Sequence, residues 1–145
     1  MRRIEVRVAA LIRRGGKLLL ACHKKRGRAY WVLPGGRVKF LEPLSRALAR
    51  ELLEETAQEA KVGRMVMAND FIDRAGPRHV VNLYFEARLI GRISRREFSG
   101  EKWLTALRYF SPAEIQKLPL RPCIKRELLE YLAKGRLSRT YLGSR

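Results

Sequence analysis

Cysteine and long apolar runs are scarce in this chain, and each scarcity excludes a class of protein. The only cysteines are Cys22 and Cys123, which are far apart and form no CxxC pair. This argues against a disulfide framework or a zinc site and favours thiols in a reducing compartment. The longest apolar run near the start, Val8 to Ile12, is too short for a signal-peptide core, and no run approaches a membrane span. We therefore expect a cytoplasmic protein with no membrane partner.

Acidic residues are also scarce, with 14 against 32 basic ones and a net charge of +18. Such a balance is typical of proteins that bind polyanions, but the basic residues are spread along the whole chain. Compositional bias, steering of small anionic substrates and a nucleic-acid partner all stay open. With 145 residues and 46% apolar content, the chain is predicted to fold as one domain over residues 1–145, with a tail at about 135–145.

The pattern along the chain predicts strands, then a helix, then strands, then helices. The chain is expected to open with a hairpin, Ile4 to Ile12 and Lys17 to Cys22 around Gly15-Gly16, followed by a polar loop, "HKKRGRA". The other expected strands are Tyr30 to Leu33 (ended by Pro34-Gly35-Gly36), Val62 to Ile72, His79 to Ile90 and Trp103 to Phe110. The expected helices are Leu44 to Ala57, one starting at Ser111-Pro112, and Pro122 to Ala133.

The first of these helices carries an unusual concentration of negative charge. At 100° per residue, Glu51, Glu54 and Glu55 continue the apolar stripe that begins with Leu44. Clustered carboxylates repel one another, so a cation is expected beside them. Arg46 and Arg50 are predicted to lie on another face, and clustered oxygen ligands suit Mg²⁺ or Mn²⁺. The alternative is a solvated acidic face paired with basic loops.

The cluster belongs to a longer pattern that resembles a known family. Gly36, Glu42 and the run Arg50-Glu51-Leu52-Leu53-Glu54-Glu55, preceded by "WVLPGG" from Trp31, resemble the Nudix box. The family hydrolyses nucleoside diphosphates linked to another group. The resemblance implies an α/β fold, the Nudix-type α/β/α sandwich with a mixed β-sheet. The pattern departs at Ala57-Gln58, where the family has glycine and an apolar residue, and the helix is therefore expected to run on towards Gly63.

The resemblance also implies roles for individual residues. Glu51, Glu54 and Glu55 would bind Mg²⁺ or Mn²⁺, with the Gly35 carbonyl as a further ligand. Glu51 is also the position that activates water in some members. Arg50 would orient Glu51 or Glu42, with Glu42 itself structural. Many members add a carboxylate beyond the box, for which Glu101 is preferred here over Glu97.

Further side chains are predicted to contact the substrate, although a solvated surface role stays open for each. A pyrophosphate is polyanionic, so basic residues near the site would hold its phosphates. The candidates are Lys24, Lys25, Arg26, Arg28, Arg37 and Lys39. A base would stack on an aromatic ring, and Trp31 is preferred among Tyr30, Trp31, Phe71 and Tyr84.

The substrate is less sharply indicated than the reaction. Family members that act on ADP-ribose or dinucleoside polyphosphates tend to carry a proline or a tyrosine beyond the box, and Ala57 to Gly76 has neither. The expected substrate is a nucleoside triphosphate, including oxidised forms of the 8-oxo-dGTP type, cleaved to monophosphate and pyrophosphate. The alternatives are an RNA 5′-end pyrophosphohydrolase and a non-catalytic regulator that binds nucleotide or RNA. A homodimer stays open.

Overall fold

Two β-sheets and three helices make up the computed structural model, which describes residues 2–91 and 104–145. The strands are β1 (Ile4–Leu11), β2 (Arg13–Arg14), β3 (Lys17–Lys25), β4 (Arg28–Val32), β5 (Gly35–Arg37), β6 (Glu59–Asp73), β7 (Arg78–Ile90), β8 (Leu104–Phe110) and β9 (Tyr141–Ser144). The helices are α1 (Leu44–Thr56), α2 (Pro112–Lys117) and α3 (Lys125–Lys134). No helix among these residues is long and apolar enough to cross a membrane.

The first sheet is mixed, as the α/β prediction requires. Its strand order is β5-β1-β7-β6-β9, with β1 parallel to β7 and antiparallel to β5, and with β9 parallel to β6. In the second sheet β3 pairs with β2, β4 and β8.

Two apolar clusters hold the layers together. The alternation of β1 sends Val8 and Ala10 towards α1, where they pack with Ala47, Leu48 and Leu52. The next cluster lies on the opposite face of the first sheet and includes Leu11, Tyr84, Leu128 and Tyr131. We call these the α1 cluster and the α3 cluster. The first sheet therefore lies between α1 on one side and α3 on the other.

The prediction of an opening hairpin is wrong for its first strand. The turn at Gly15-Gly16 joins β3 to the two-residue β2, whereas β1 pairs in the other sheet. The segment expected to be a basic loop is a second hairpin, because Arg26 and Gly27 both take positive φ and form a two-residue turn. Gly35 and Gly36 also belong to a strand, β5, which pairs with Val8 and Ala9.

The helix ends also differ from the predictions. Helix α1 ends at Thr56 and does not run on, because Ala57 adopts the left-handed conformation (φ 58°) that glycine would take and its N–H donates to the Leu53 carbonyl. Helix α2 is capped by Ser111 as expected, with Glu114 completing a capping box, whereas α3 begins at Lys125 and not at Pro122. The segment read as a tail contains β9, whose Leu142 is buried in the α3 cluster. It is part of the sheet.

Candidate active site

The acidic end of α1 packs against the edge strand β5. The side chain of Glu51 lies over Gly36, where an added Cβ would collide with its carboxylate. Glu55 accepts a hydrogen bond from the Gly35 backbone N–H at 3.2 Å. Both carboxylate residues are buried, at 7% exposure for Glu51 and 3% for Glu55. Gly36 thus lets the Glu51 carboxylate approach the strand closely, whereas the missing Cβ of Gly35 makes room for the Val8 carbonyl of β1.

Arg50 links this acidic end to the loop before α1. Its Nε donates to Glu42 Oε2 at 2.7 Å and its Nη2 to Glu42 Oε1 at 2.9 Å, a bidentate pair. Its Nη1 donates to Glu51 Oε1 at 2.9 Å and reaches Glu54 Oε1 at 3.4 Å. Nη2 also donates to the Arg37 carbonyl at 3.0 Å, which fixes the end of β5. A helical projection places Arg50 on another face, but its long side chain folds back over Glu51 and Glu54, and its contacts with Glu42 and Glu51 are those that the family resemblance implied.

The bidentate contact keeps Glu42 ionised. Hydrogen bonds from Arg50, aided by the Lys39 backbone N–H at 3.1 Å, lower the pKa of Glu42 from 4.5 to about 2. Glu42 in turn holds the Arg50 guanidinium in place, so it acts on Glu51 and Glu54 through Arg50.

The donors present suit a hard divalent cation. Glu51, Glu54 and Glu55 offer carboxylate oxygens at one end of α1, next to the backbone of the glycine pair, and oxygen donors are what Mg²⁺ prefers. Among residues 2–91 and 104–145, no three His, Cys, Asp or Glu side chains already form a group that could hold a metal ion. Glu97 and Glu101 lie outside the described residues.

The predicted substrate-binding residues divide into two sets. Arg37 and Lys39 adjoin the site: Arg37 forms an ion pair with Glu5 at 3.3 Å, and the Lys39 backbone contacts Glu42. The basic residues from Lys24 to Arg28 lie on the β3–β4 hairpin, at and beside its turn. The structure does not bring these two sets together in a single contact among the described residues.

The aromatic candidates are mostly engaged in packing. Trp31 is half-buried and stands edge-on to Phe110, with ring centroids 4.6 Å apart. Tyr84 is buried in the α3 cluster and donates to Asn69 Oδ1 at 2.6 Å. Tyr30 is half-buried and carries the Arg121 guanidinium over its ring at 4.6 Å.

A row of polar residues crosses the first sheet beside the site, and the sequence reasoning missed it. Arg37 of β5 pairs with Arg7 of β1, Arg7 with Asn82 of β7, and Asn82 with Asn69 of β6. Directly paired residues point to the same face of a sheet. The sequence does contain a signal for this row, because a polar residue interrupts each apolar strand, in "EVRVA", "VVNLY" and "MANDF".

Comparison with known proteins identifies the class to which this site belongs. The family model for the NUDIX domain matches residues 1–132. The CTP pyrophosphohydrolase of Escherichia coli (strain K12) is 33% identical over 126 residues, covering 84% of this chain and 86% of the relative.

Two solved structures show the same fold. The solution structure of the E. coli ORF135 protein is 30% identical with a TM-score of 0.74, covering 95% of this chain and 96% of that one. The crystal structure of a MutT NUDIX hydrolase from Burkholderia pseudomallei is 29% identical with a TM-score of 0.71, covering 89% of this chain and 98% of that one.

The chain therefore belongs to the Nudix hydrolase family. More particularly, it is a MutT-like enzyme that hydrolyses nucleotide-linked pyrophosphates. Nudix hydrolases act on small nucleotide substrates and in general use divalent metal ions.

Proposed function

We propose that this enzyme hydrolyses a nucleoside triphosphate to the monophosphate and pyrophosphate, with Mg²⁺ or Mn²⁺ as cofactor. The observation that carries the proposal is the packing of Glu51 and Glu55 against the glycine pair of β5, with Arg50 bridging Glu42 to Glu51 and Glu54. A non-catalytic regulator is disfavoured, because a protein that only binds nucleotide has no need of a self-repelling set of buried carboxylates.

Each side chain has a distinct part in the proposed reaction. Glu51, Glu54 and Glu55 would hold the metal, which when bound offsets phosphate charge and lowers the pKa of water. Arg50 and Glu42 position the glutamates through the hydrogen bonds described above. Arg37 and Lys39, which adjoin the glutamates at the end of β5, are proposed to hold the outer phosphates.

The relative's name gives the first nucleotide to test. A CTP pyrophosphohydrolase that aligns with 84% of this chain makes CTP the leading substrate candidate, ahead of the oxidised purine triphosphates. ADP-ribose and dinucleoside polyphosphates remain useful comparison compounds.

The proposal predicts a specific loss of turnover in Glu54→Gln. This change keeps the side-chain volume but removes a negative oxygen, so we expect kcat to fall by about 100-fold or more in saturating Mg²⁺. The measurement is chromatographic product analysis with CTP, dCTP, UTP, GTP, ATP, 8-oxo-dGTP, ADP-ribose and 5′-triphosphate RNA.

Two controls make the result interpretable. Glu59→Gln removes a carboxylate at the exposed start of β6 and should retain full activity. Release of pyrophosphate and a monophosphate identifies the bond that is cleaved. Equal turnover by Glu54→Gln and wild type across a range of Mg²⁺ concentrations would overturn the metal assignment.

A basic surface supports RNA 5′-end hydrolysis as a second candidate. A cavity of about 380 Å³ lies at the sheet end that also carries Arg37, and it is lined by Arg2, Arg3, Ile4, Ile72, Asp73, Arg74, Pro77, Arg78 and His79. Such a surface would attract a longer polyanion. This candidate would also use the tail from Arg136 to Arg145, of which Tyr141–Ser144 form β9 beside β6. Preference for triphosphate RNA over every mononucleotide in the panel would favour this candidate.

A further inference from the structure

A cavity lies between α3 and β9, far from the glutamates of α1. Its volume is about 150 Å³, and its wall comes from α3, from β9 and from the segment that joins them. The strands β5 and β9 form opposite edges of the first sheet. Four strand spacings of about 5 Å therefore separate this cavity from the strand beside the active site, a distance of roughly 20 Å. The cavity is not part of the active site.

A buried carboxylate in the cavity wall has an oxygen without a partner. Glu127 lines the cavity and is 6% exposed, and its Oε1 accepts from Arg145 Nη2 at 2.5 Å. Its Oε2 is also buried, and none of the residues that the structure describes donates a hydrogen bond to it. A buried acceptor without a donor costs stability, so a ligand that supplies a donor would remove a cost already present in the fold.

Glu130 adds a second carboxylate to the same wall, one helical turn after Glu127. Its Oε1 accepts from the Ser138 N–H at 3.1 Å, which fixes the side chain against the segment after α3. Within the described part of the chain, no three His, Cys, Asp or Glu side chains form a group that could hold a metal ion. The two carboxylates therefore suit an ammonium group, which only donates hydrogen bonds, better than a metal.

Two arginines in the same wall determine what else the ligand must carry. Arg126 lies on α3 and Arg139 on the segment before β9, and both are exposed. Neither guanidinium makes a hydrogen bond or ion pair with any residue in the described ranges. They would repel a simple cation, whereas Glu127 and Glu130 would repel a simple anion. A molecule that carries both charges avoids both repulsions.

We propose that this cavity binds a small zwitterion, a molecule whose ammonium group and anionic group are joined by a short apolar chain. The ammonium group donates to Glu127 and Glu130, and the anionic group accepts from Arg126 and Arg139. A guanidinium binds a carboxylate or a phosphate, so the anionic group belongs to either class. The inference is independent of the proposed reaction, because it uses no residue of the active site.

The apolar part of the wall and the size of the cavity agree with this ligand. Leu137 and Leu142 line the cavity beside the charged groups, and Leu142 is buried in the α3 cluster. They would cover the methylene groups between the two charges. A water molecule takes about 30 Å³ in the liquid, so the cavity has room for about five waters or for one molecule of amino-acid size.

The first test is an NMR titration of the ¹⁵N-labelled protein, which reports both affinity and location. The zwitterions are glycine, β-alanine, γ-aminobutyrate, 5-aminovalerate and O-phosphoethanolamine. The matched single-charge compounds are n-butylamine and butyrate, which have the chain length of γ-aminobutyrate. We expect the best zwitterion to bind about 10- to 100-fold more tightly than either single-charge compound, the contribution of hydrogen bonds to one charged end. Comparison of the carboxylates with O-phosphoethanolamine identifies the anionic group.

The location and the selectivity can each overturn the proposal. The amide signals that shift should be those of α3, of β9 and of the segment between them, including Ser138 and Leu142. Shifts centred on Gly35 and Gly36 would place the zwitterion in the active site and overturn the proposal. It is also overturned if no zwitterion shifts the α3 and β9 signals, or if n-butylamine or butyrate binds as tightly as the best zwitterion.

Variants test the two charged ends separately. Glu130→Gln keeps the side-chain volume and an acceptor for the Ser138 N–H, and Arg139→Met changes an exposed side chain, so both should fold. Each should weaken binding of the best zwitterion about 10-fold or more. The matched control is Arg136→Met, which removes an exposed arginine of the same segment that does not line the cavity, and its affinity should equal that of wild type.

Nucleotide hydrolysis separates this site from the active site. Arg139→Met should cleave the nucleotide panel at the wild-type rate while it loses affinity for the zwitterion. Unchanged zwitterion affinity in both Glu130→Gln and Arg139→Met would show that the cavity is not the binding site, whatever the outcome for hydrolysis.

Discussion

At the scale of single residues, Arg50 decides the electrostatics of the site. It contacts three carboxylates, yet the pair with Glu42 has the best geometry, with two hydrogen bonds of 2.7 and 2.9 Å. Since Glu42 contacts no other arginine or lysine side chain in the described residues, its ionisation reports directly on the position of Arg50.

Removing Arg50 should therefore be visible in the titration of Glu42. The pKa of Glu42 is about 2 because Arg50, and then the Lys39 N–H, favour its charged form. In Arg50→Met we expect the pKa to rise towards the ordinary 4.5. A lowered pKa stabilises the fold above pH 4.5, and this contribution is lost as pH falls through about 2; a variant whose Glu42 titrates near 4.5 should lack the contribution at every pH. Carboxyl-detected NMR measures the titration.

The matched control is Arg46→Met, which removes the same charge from an exposed position on the same helix. Its Glu42 should titrate as in wild type. A Glu42 pKa that remains near 2 in Arg50→Met would mean that the Lys39 N–H, and not Arg50, keeps this carboxylate ionised.

The sequence predicts part of this arrangement and misses part of it for a definite reason. Spacing along α1 was enough to group Glu51, Glu54 and Glu55, because a helix has a fixed period. The spacing put Arg50 on another face, since a helical projection locates Cβ atoms while the guanidinium reaches several ångströms further; the family pattern, in contrast, implied its contacts with Glu42 and Glu51. Arg7 and Asn82 were missed because they come together only through strand pairing across the sheet.

At the scale of elements, the C-terminus of α1 shows that neighbouring hydrogen bonds can hold a left-handed backbone conformation without glycine. The chain has alanine where the family has glycine, and the structure keeps the left-handed conformation at Ala57 (φ 58°). That conformation costs alanine about 1–2 kcal/mol. It persists because Thr56 is buried and its Oγ1 donates to the Leu52 carbonyl at 2.6 Å, while the Ala57 N–H donates to Leu53.

Ala57→Gly should consequently stabilise the protein. Glycine removes the steric cost but adds flexibility to the unfolded chain, so the expected gain in the free energy of unfolding is about 0.5–1 kcal/mol. Ala49→Gly, in the middle of the same helix, should instead lose about 1 kcal/mol. Urea denaturation measures both. A loss in Ala57→Gly would show that surrounding contacts need the alanine methyl group.

Element boundaries were predictable where apolar alternation or a cap marks them. The capping box of α2 needs only Ser111 and Glu114, both visible in the sequence. The four residues of β9 give no such signal. They become a strand because β6 offers an unpaired edge and the α3 cluster accepts Leu142.

At the scale of the whole molecule, β9 ties the first sheet to α3. The Tyr141 hydroxyl donates to Asp70, and the Arg145 backbone N–H donates to the Asp70 carbonyl at 2.7 Å. Arg145 Nη2 donates to Glu127 Oε1 of α3 at 2.5 Å. Glu127 is buried at 6% exposure, and its other oxygen, Oε2, has no hydrogen-bond partner among the described residues. The Arg145 guanidinium is thus the main group that compensates the buried negative charge of Glu127.

Arg145→Met should therefore destabilise the whole fold. It leaves the buried Glu127 carboxylate without its cation, and we expect a loss of about 3 kcal/mol, the low end for a buried pair, because the Arg145 side chain is 25% exposed. Adding Glu127→Gln should recover much of that loss, since it removes the unpaired charge while keeping the volume. Arg139→Met, an exposed arginine in the preceding segment, should change stability by less than about 0.5 kcal/mol. Equal losses in the single and double variants would show that packing of the Arg145 stem, and not its charge, holds β9 against α3.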